Sequence, residues 1–495
     1  MAPRSSGEAH RARGTAPDVL SAIREIASSK TPRDDEAMIL AHFPPFRWLL
    51  FYLCQPMNKV LIVAYYFPPS GGPGVQRVLK FVQYLRQFNW EPVVLTVRDG
   101  NFPARDESLL KEIPEGVKVI RTEIFEPYDL YRKLTGKKQG TAIDVNTIRK
   151  EGTKLPFSER LSEFIRATLF IPDARIGWLR HAVKAGMEEI NKGEIKAIYS
   201  SSPPYTCSLI ARALKRKSKL PWIAGFRDPW TGFITTPNRW AIPAAIDRRL
   251  ERSVFTEADA VEVAWLGIMN DVLGKYPELP RQKFHHLPNG YDSADIPEIS
   301  LAERSDLRFT ITYTGSMYGR RNPDAFLKAV ESLTTSGAID PARLRLQFIG
   351  RFGEEVMEMF RGSSLGSAIE VVGYMPHKES IRRLLLSDAV LLVVDEYEGS
   401  DEVVPGKVYE YIGSGRPVLA VAPERSAIAE LIAETESGFV AHQSNIAGIA
   451  EAFGKLYQAW VTGEAAVAPN QQAIARYERK NVTGELAGLL ERFIG

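Results

Sequence analysis

The chain is predicted to be an α/β protein built from two doubly wound, Rossmann-like domains that face each other across a cleft. At 495 residues it exceeds what a single hydrophobic core sustains, so two domains are expected. From Lys59 onward, short β-branched or aromatic runs alternate with amphipathic stretches of helical length, the pattern of parallel sheets covered by helices. The alternation breaks at the turn cluster Pro288-Asn289-Gly290, crosses a polar stretch holding Asp292, Asp295 and Pro297, and then restarts.

In the first half, strands are expected at 59–67, 92–97, 118–123, 197–201, 222–226, 260–264 and 284–287, with helices between most of them. The stretch 100–192 is an elaboration holding one strand, a Lys/Gly-rich loop near 136–140 and helices after Ser158 and Ile176; such insertions usually shape a site or a partner surface. In the second half, strands are expected at 310–314, 344–349, 370–372, 390–394 and 417–421, with helices such as 323–333 and 378–386. A last helix, near 471–493, has no strand after it. These elements divide the chain into an extension at 1–56, a first domain at 57–297, a second at 298–470 and a C-terminal helix at 471–495 that packs back on the first domain. Sheets of this kind bind ligands at strand carboxyl ends, so the cleft is the expected site.

Composition narrows the partners. Hydrophobic residues make up 44% and charged residues 25%, an ordinary globular balance. Sixty-three Lys and Arg against 60 Asp and Glu leave a net charge of +3, too small to indicate nucleic-acid binding. Five of the eight residues 212–219 are basic; they read as a solvated helix end, with contact to an anionic membrane surface as the sharper alternative. The two cysteines, Cys54 and Cys207, form no disulfide framework and no zinc spacing, which fits a reducing cytoplasm, with the inner face of the cell membrane left open. No apolar run has the length to span a bilayer. Residues 1–56 are polar until the apolar run 46–54, which lacks a signal-peptide cleavage site, so this segment is set outside the fold as disordered or as a misassigned upstream extension. The run 46–54 is alternatively a membrane-associated helix.

Two segments carry chemistry on their own residues. The first strand runs into Ser70-Gly71-Gly72-Pro73-Gly74 before a helix; small residues let backbone approach a ligand, and the helix start suits a diphosphate. A plain turn is the competing reading. The segment is neither a dinucleotide fingerprint nor a P-loop. In the second half, Glu402 precedes Glu410 by eight positions, with Pro405 suited to a helix start and Gly413 and Gly415 to its end. Lys407 and Glu410 are three residues apart on that helix, so they share a face, where a carboxylate can accept ribose hydroxyls and an ammonium can meet phosphate. A surface ion pair without a ligand is the alternative.

Glu402 and Glu410 with seven residues between them, followed by a small-residue helix end and Pro417-Val418, resemble the E-x7-E motif of retaining GT-B glycosyltransferases of family 4. Tyr313-Thr-Gly315 with Arg321 six residues after the glycine is similar to that family's phosphate-binding strand-loop-helix, and Leu287-Pro-Asn289-Gly290-Tyr-Asp292 to its interdomain linker signature. Val371-Val-Gly373-Tyr374 resembles its base-binding loop, while Ser201-Ser-Pro-Pro204 and Phe226-Arg227-Asp228-Pro229-Trp230 are similar to a bacterial subgroup that builds surface polysaccharides. The resemblance implies a donor site of Gly71, Gly72, Gly315, Arg321, Tyr374, Lys407 and Glu410, with Glu402 near the donor sugar and Asp228 orienting the acceptor. For Asp228, a turn-forming role before Pro229 stands as the alternative. It further implies a UDP- or GDP-linked sugar as substrate, no cofactor and no obligatory metal, and a glycan or polyprenyl-lipid-linked acceptor. The departures are Val403-Val404-Pro405, where the family has Gly-Phe-Gly, and Gly225, where the subgroup has Asp. A sugar-nucleotide epimerase of similar architecture and a catalytically silent glycan-binding protein are the competing functions.

Overall fold

Val60-Leu61-Ile62-Val63 is apolar at every position because the strand it forms is covered on both faces. The computed structural model describes residues 57–494 except 103, 126–163, 165–166, 169, 234–235, 301–302, 304–306 and 395–399, and the statements below concern those residues. This strand, β1 (Asn58–Val63), sends Val60 and Ile62 into one core and Leu61 and Val63 into the other, the two-residue period of a strand. It leaves the sheet four residues earlier than its apolar run, although Tyr65 and Phe67 beyond it stay buried. With β2 (Trp90–Val97), β3 (Lys118–Thr122), β4 (Ile195–Ser202), β5 (Trp222–Phe226), β6 (Ala260–Val263) and β7 (Phe284–His286) it forms a parallel sheet of order β3-β2-β1-β4-β5-β6-β7.

Helix α1 (Pro73–Tyr84) lies on the Val60 face, while α2 (Leu179–Ile190), α3 (Thr206–Ser218), α4 (Ala241–Glu257) and α5 (Leu266–Lys275) cover the Leu61 face. Of the elaboration at 100–192, β3 and α2 are described; the loop expected near 136–140 and most of the helix expected after Ser158 lie outside the described residues.

The second sheet joins β8 (Phe309–Thr314), β9 (Leu344–Ile349), β10 (Ile369–Val372), β11 (Ala389–Val393), β12 (Val418–Val421) and β13 (Gly438–Ala441) in the order β10-β9-β8-β11-β12-β13, again all parallel. Both sheets therefore reverse direction beside their first strand, at β1/β4 and at β8/β11, which is where doubly wound sheets bind ligands. The helices after β8 are α6 (Asp324–Thr335), α7 (Glu354–Gly362), α8 (His377–Leu385), α9 (Lys407–Gly413), α10 (Ala427–Thr435), α11 (Ile446–Thr462), α12 (Gln471–Ala475) and α13 (Arg479–Glu491). Strand β13 was not expected. It is four residues long and starts at Gly438, where a Cβ would run into the Val418 carbonyl, so the close approach requires glycine.

The single helix expected over 471–493 is two. Between α12 and α13 the chain runs beside the linker from the first domain: the Tyr291 N–H donates to the Tyr477 carbonyl (3.1 Å) and the Arg479 N–H to the Tyr291 carbonyl (2.8 Å). Helix α13 then buries Val482, Leu486, Leu489 and Leu490 in the same core as Val60, Ile62, Val78 and Val82 of the first sheet. Helix α1 pins the linker from its other side. Arg77 donates to the carbonyls of Leu287 (2.6 Å) and Pro288 (2.9 Å) and pairs with buried Glu262. Lys80 pairs with Asp292 (2.6 Å) and Asp295 (2.9 Å), and Tyr84 donates to Asp292 (2.7 Å). The buried Arg77–Glu262 pair gains little net energy as a pair, but losing one partner would strand the other charge.

Candidate functional site

In the second sheet, β8 ends at buried Thr314 and the chain emerges at exposed Gly315, whose φ of +116° favours glycine. Lys407, the first residue of α9, donates from Nζ to the Thr314 carbonyl at 3.2 Å and rests 3.9 Å from the Tyr313 ring centre. A Cβ on Gly315 would stand 3.4 Å from that Nζ, and one on Gly350, at the end of β9, would strike the Gly315 carbonyl. Tyr411, one turn along α9, accepts from the Thr314 N–H at 2.9 Å. Helix α9 thus grips the end of β8 with two side chains and brings an ammonium against a bare glycine backbone. Arg321 is half-buried, six residues after Gly315.

Glu410 turns to another neighbour than Lys407 does. Its Oε1 lies 2.9 Å from Nε2 of His377, the first residue of α8, and this hydrogen bond raises the His377 pKa above the usual imidazole value. The pair lines a pocket together with Ser414, Lys80, Asp292 and Arg479. Tyr374, three residues before His377, is 74% exposed, with the Arg351 guanidinium 5.0 Å from its ring centre.

The first sheet closes its switch point with its own groups. Gly71 is buried and its N–H already donates to the Ala104 carbonyl at 2.9 Å, so it has none to offer a ligand; Gly72, with φ +97°, is exposed. The Arg227 guanidinium lies where a Cβ of Gly74 would go and donates to the Pro203 carbonyl, tying the first loop to Ser201-Ser-Pro-Pro204. Beside it, Asp228 is half-buried, and burial raises its carboxyl pKa while Arg227 opposes the shift. The departure at Gly225 has a physical reason. A Cβ there would meet the Tyr199 hydroxyl and come within 2.6 Å of Glu262 Oε2, so β6 supplies a carboxylate in the space that an aspartate on β5 would need.

Glu402 reaches across the cleft. Its Oε1 accepts from Asn270 Nδ2 of α5 at 3.1 Å, and its Oε2 occupies the place of a Cβ on Gly267. Next to it, Val403 packs against the core of the first sheet and Val404 against that of the second, which gives the Val-Val-Pro departure a bridging role. Of the sequence-derived residues, the fold gathers Gly315, Arg321, Tyr374, Lys407 and Glu410 along one edge of the second sheet, while Glu402 faces α5 and Asp228, Gly71 and Gly72 lie at the carboxyl edge of the first. Sequence reasoning missed His377 and Asn270. His377 could have been found, since it opens a helix three residues beyond Tyr374; Asn270 has no local signal.

The basic cluster at 212–219 is largely spent within the fold. Arg212 bonds to Ser253, Lys215 pairs with Asp259 (2.5 Å) and Arg216 with Glu257 (2.6 Å). Among the described residues, no helix is long and apolar enough to cross a membrane.

The sequence pattern of the family described as Glycosyl transferases group 1 matches residues 308–459, which span all six strands of the second sheet. No curated protein matches the chain in sequence. Among solved structures, a glycosyltransferase from Rickettsia africae superposes with a TM-score of 0.56 at 13% identity, covering 89% of this chain and 99% of that one. Sucrose-phosphate synthase from Thermosynechococcus elongatus gives 0.54 at 12% identity, over 88% and 98%. Anabaena HepE in complex with UDP gives 0.54 at 12% identity, over 88% and 100%. At such identities the likeness establishes the fold: the chain has the two-domain GT-B architecture.

Proposed function

We propose that the chain is a retaining glycosyltransferase that moves a hexose from a UDP- or GDP-linked donor, seated on the second sheet, to a glycan or polyprenyl-linked acceptor presented by the first. The observation that carries the reading is the meeting of Lys407 with the Thr314-Gly315 backbone at the β8/β11 switch point, with Glu410 on the same helix, within the stretch that matches the glycosyltransferase family. Lys407, with Arg321, neutralises the diphosphate as the bond from the sugar C1 to the phosphate oxygen breaks. Glu410 accepts the ribose hydroxyls in exchange for His377. The acceptor oxygen bonds to C1 on the face the diphosphate leaves, and its proton passes to a phosphate oxygen, so the products are the glycosylated acceptor and the nucleoside diphosphate. Asp228 orients the acceptor hydroxyl. Glu402, which bonds to Asn270 of α5, is assigned to the donor sugar. Role in surface-polysaccharide synthesis and action at the inner membrane face belong to the same proposal.

The test is incubation with a panel of UDP- and GDP-sugars, with and without a lipid-linked acceptor. Product whose anomeric configuration matches the donor, formed only with acceptor, supports the reading; inversion overturns retention, and a changed sugar without acceptor points to an epimerase. Glu402→Gln should lower turnover and leave nucleotide affinity unchanged. If Asn270→Ala lowers turnover equally, Glu402 serves as a bridge between the sheets.

A further inference from the structure

The amino half of α4 and the segment beside it expose an apolar surface that the donor chemistry leaves unused. Trp240 is 45% exposed, Ile242 61%, Ile246 46% and Phe164 56%. Ile242, Ala245, Ile246 and Arg249 recur at three- and four-residue spacing and are all exposed, so they form one stripe along the helix. The neighbouring segment is fixed to it. Trp240 Nε1 donates to Thr168 Oγ1 at 3.1 Å, and Arg239 donates to the carbonyls of Ala167 (2.5 Å), Phe170 (2.9 Å) and Pro172 (2.7 Å).

Of the acids of α4, Asp247 and Glu251 are buried, and Glu257, at its far end, pairs with Arg216. Asp247 accepts from Trp230 Nε1 (2.9 Å) and Arg239 Nε (2.8 Å), and buried Glu251 accepts from Thr231. Along this half of the helix the exposed charges are therefore Arg248 and Arg249, which make no ion pair among the described residues; beyond it, exposed Arg252 pairs with Glu278 (2.8 Å). The loop that carries Asp228 leads from the carboxyl end of β5 to the start of α4, which puts the stripe on the acceptor side of the cleft.

We infer that this stripe docks the chain on an anionic lipid surface, with Trp240, Ile242 and Ile246 in the headgroup boundary and Arg248 and Arg249 on lipid phosphates. A large exposed apolar stripe edged by cations fits that partner. A second copy covering the stripe is an outcome that the test below distinguishes. The inference rests on the proposed function only for its consequence, that a lipid-linked acceptor would reach the cleft at Asp228.

The test is flotation of the full chain with phosphatidylcholine vesicles, with and without phosphatidylglycerol. The chain should float with the anionic vesicles and separate from them in high salt. Trp240→Ser/Ile242→Ser/Ile246→Ser should cut the bound fraction at least about tenfold. Arg248→Gln/Arg249→Gln should weaken anionic binding roughly thirtyfold. Unchanged thermal unfolding confirms that these exposed substitutions leave the fold intact, and because flotation requires no donor, its outcome stands apart from that of the transfer assay. Absence of flotation, flotation of the triple variant like the parent, which would put attachment elsewhere, such as the apolar run 46–54, or a dimer that the triple variant dissociates would each overturn the inference.

Discussion

At the carboxyl end of β1 the chain seals its own loop: Gly71 is buried with its N–H bonded to Ala104, Arg227 fills the space over Gly74, and Arg77 spends its guanidinium on Glu262 and the linker carbonyls. At the carboxyl end of β8 the corresponding loop stays open. Gly315, Tyr318, Gly319 and Arg320 are exposed, and the ammonium beside them lies over an aromatic face and one carbonyl. Two sheets of one strand order therefore treat the same edge differently, and the proposed function follows that difference. A loop closed by protein groups is scaffold that aims a few residues, here Asp228; a loop left open beside a cation is where an anionic ligand can replace solvent.

Breaking the open edge should have the largest effect. Lys407→Ala removes the cation and one of the two side chains of α9 holding Thr314, and is expected to lower kcat by about a hundred- to a thousandfold, the usual loss of one charge-stabilising donor. Steady-state kinetics with donor varied checks it; a loss confined to thermal stability would mean that Lys407 only props β8. Next, Glu410→Ala should weaken the nucleoside diphosphate and the intact donor alike, by roughly ten- to a hundredfold in calorimetry, because both carry the ribose.

The closed edge should answer in stability alone. Gly225→Ala forces a methyl group against the Tyr199 hydroxyl and Glu262, and should cost about 1–3 kcal/mol in denaturant unfolding without changing nucleotide affinity in the folded fraction. A drop in affinity with normal stability would erase the distinction between the edges.

The smallest effect concerns pH. Because Glu410 raises the His377 pKa, the charged pair persists below that raised value and is lost as pH rises through it. Ribose must take Glu410 from His377, so affinity for nucleoside diphosphate should be lowest in acid and rise, by less than about tenfold, as the histidine loses its proton. The His377→Ala variant should bind with a flatter pH profile; an identical slope in the variant would show that another group titrates.

Most of the fold was legible because it is written locally. Runs such as Val60 to Val63 and Leu344 to Ile349 declare buried strands, and Gly315 and Gly413 mark the ends of elements at or near their places. Of the candidate site, α9 and the loop after β8 were each legible as a local pattern of residues close in sequence. What was missed depends on partners far along the chain. Gly438 begins a strand only because Val418 lies beside it, and the helix expected over 471–493 breaks because Tyr291 takes up the backbone of Tyr477 and Arg479. Glu402 meets Asn270, 132 positions away, and three cations of the cluster at 212–219 find partners on α4 and the turn after it. Charge runs count residues; they do not reveal which are already neutralised.

Helix α13 has a consequence for the order of events in biosynthesis. The core that holds Val60 and Ile62, among the first residues of the sheet to leave a ribosome, is completed by Val482, Leu486 and Leu490, among the last. Until those residues emerge, α1 and its side of the first sheet keep an apolar face open, whereas the second sheet has all six strands and the core of one face by Tyr457, its other face being completed by Ile474 and Tyr477. One face of the later-made sheet can thus be packed before α13 closes the core of the earlier one.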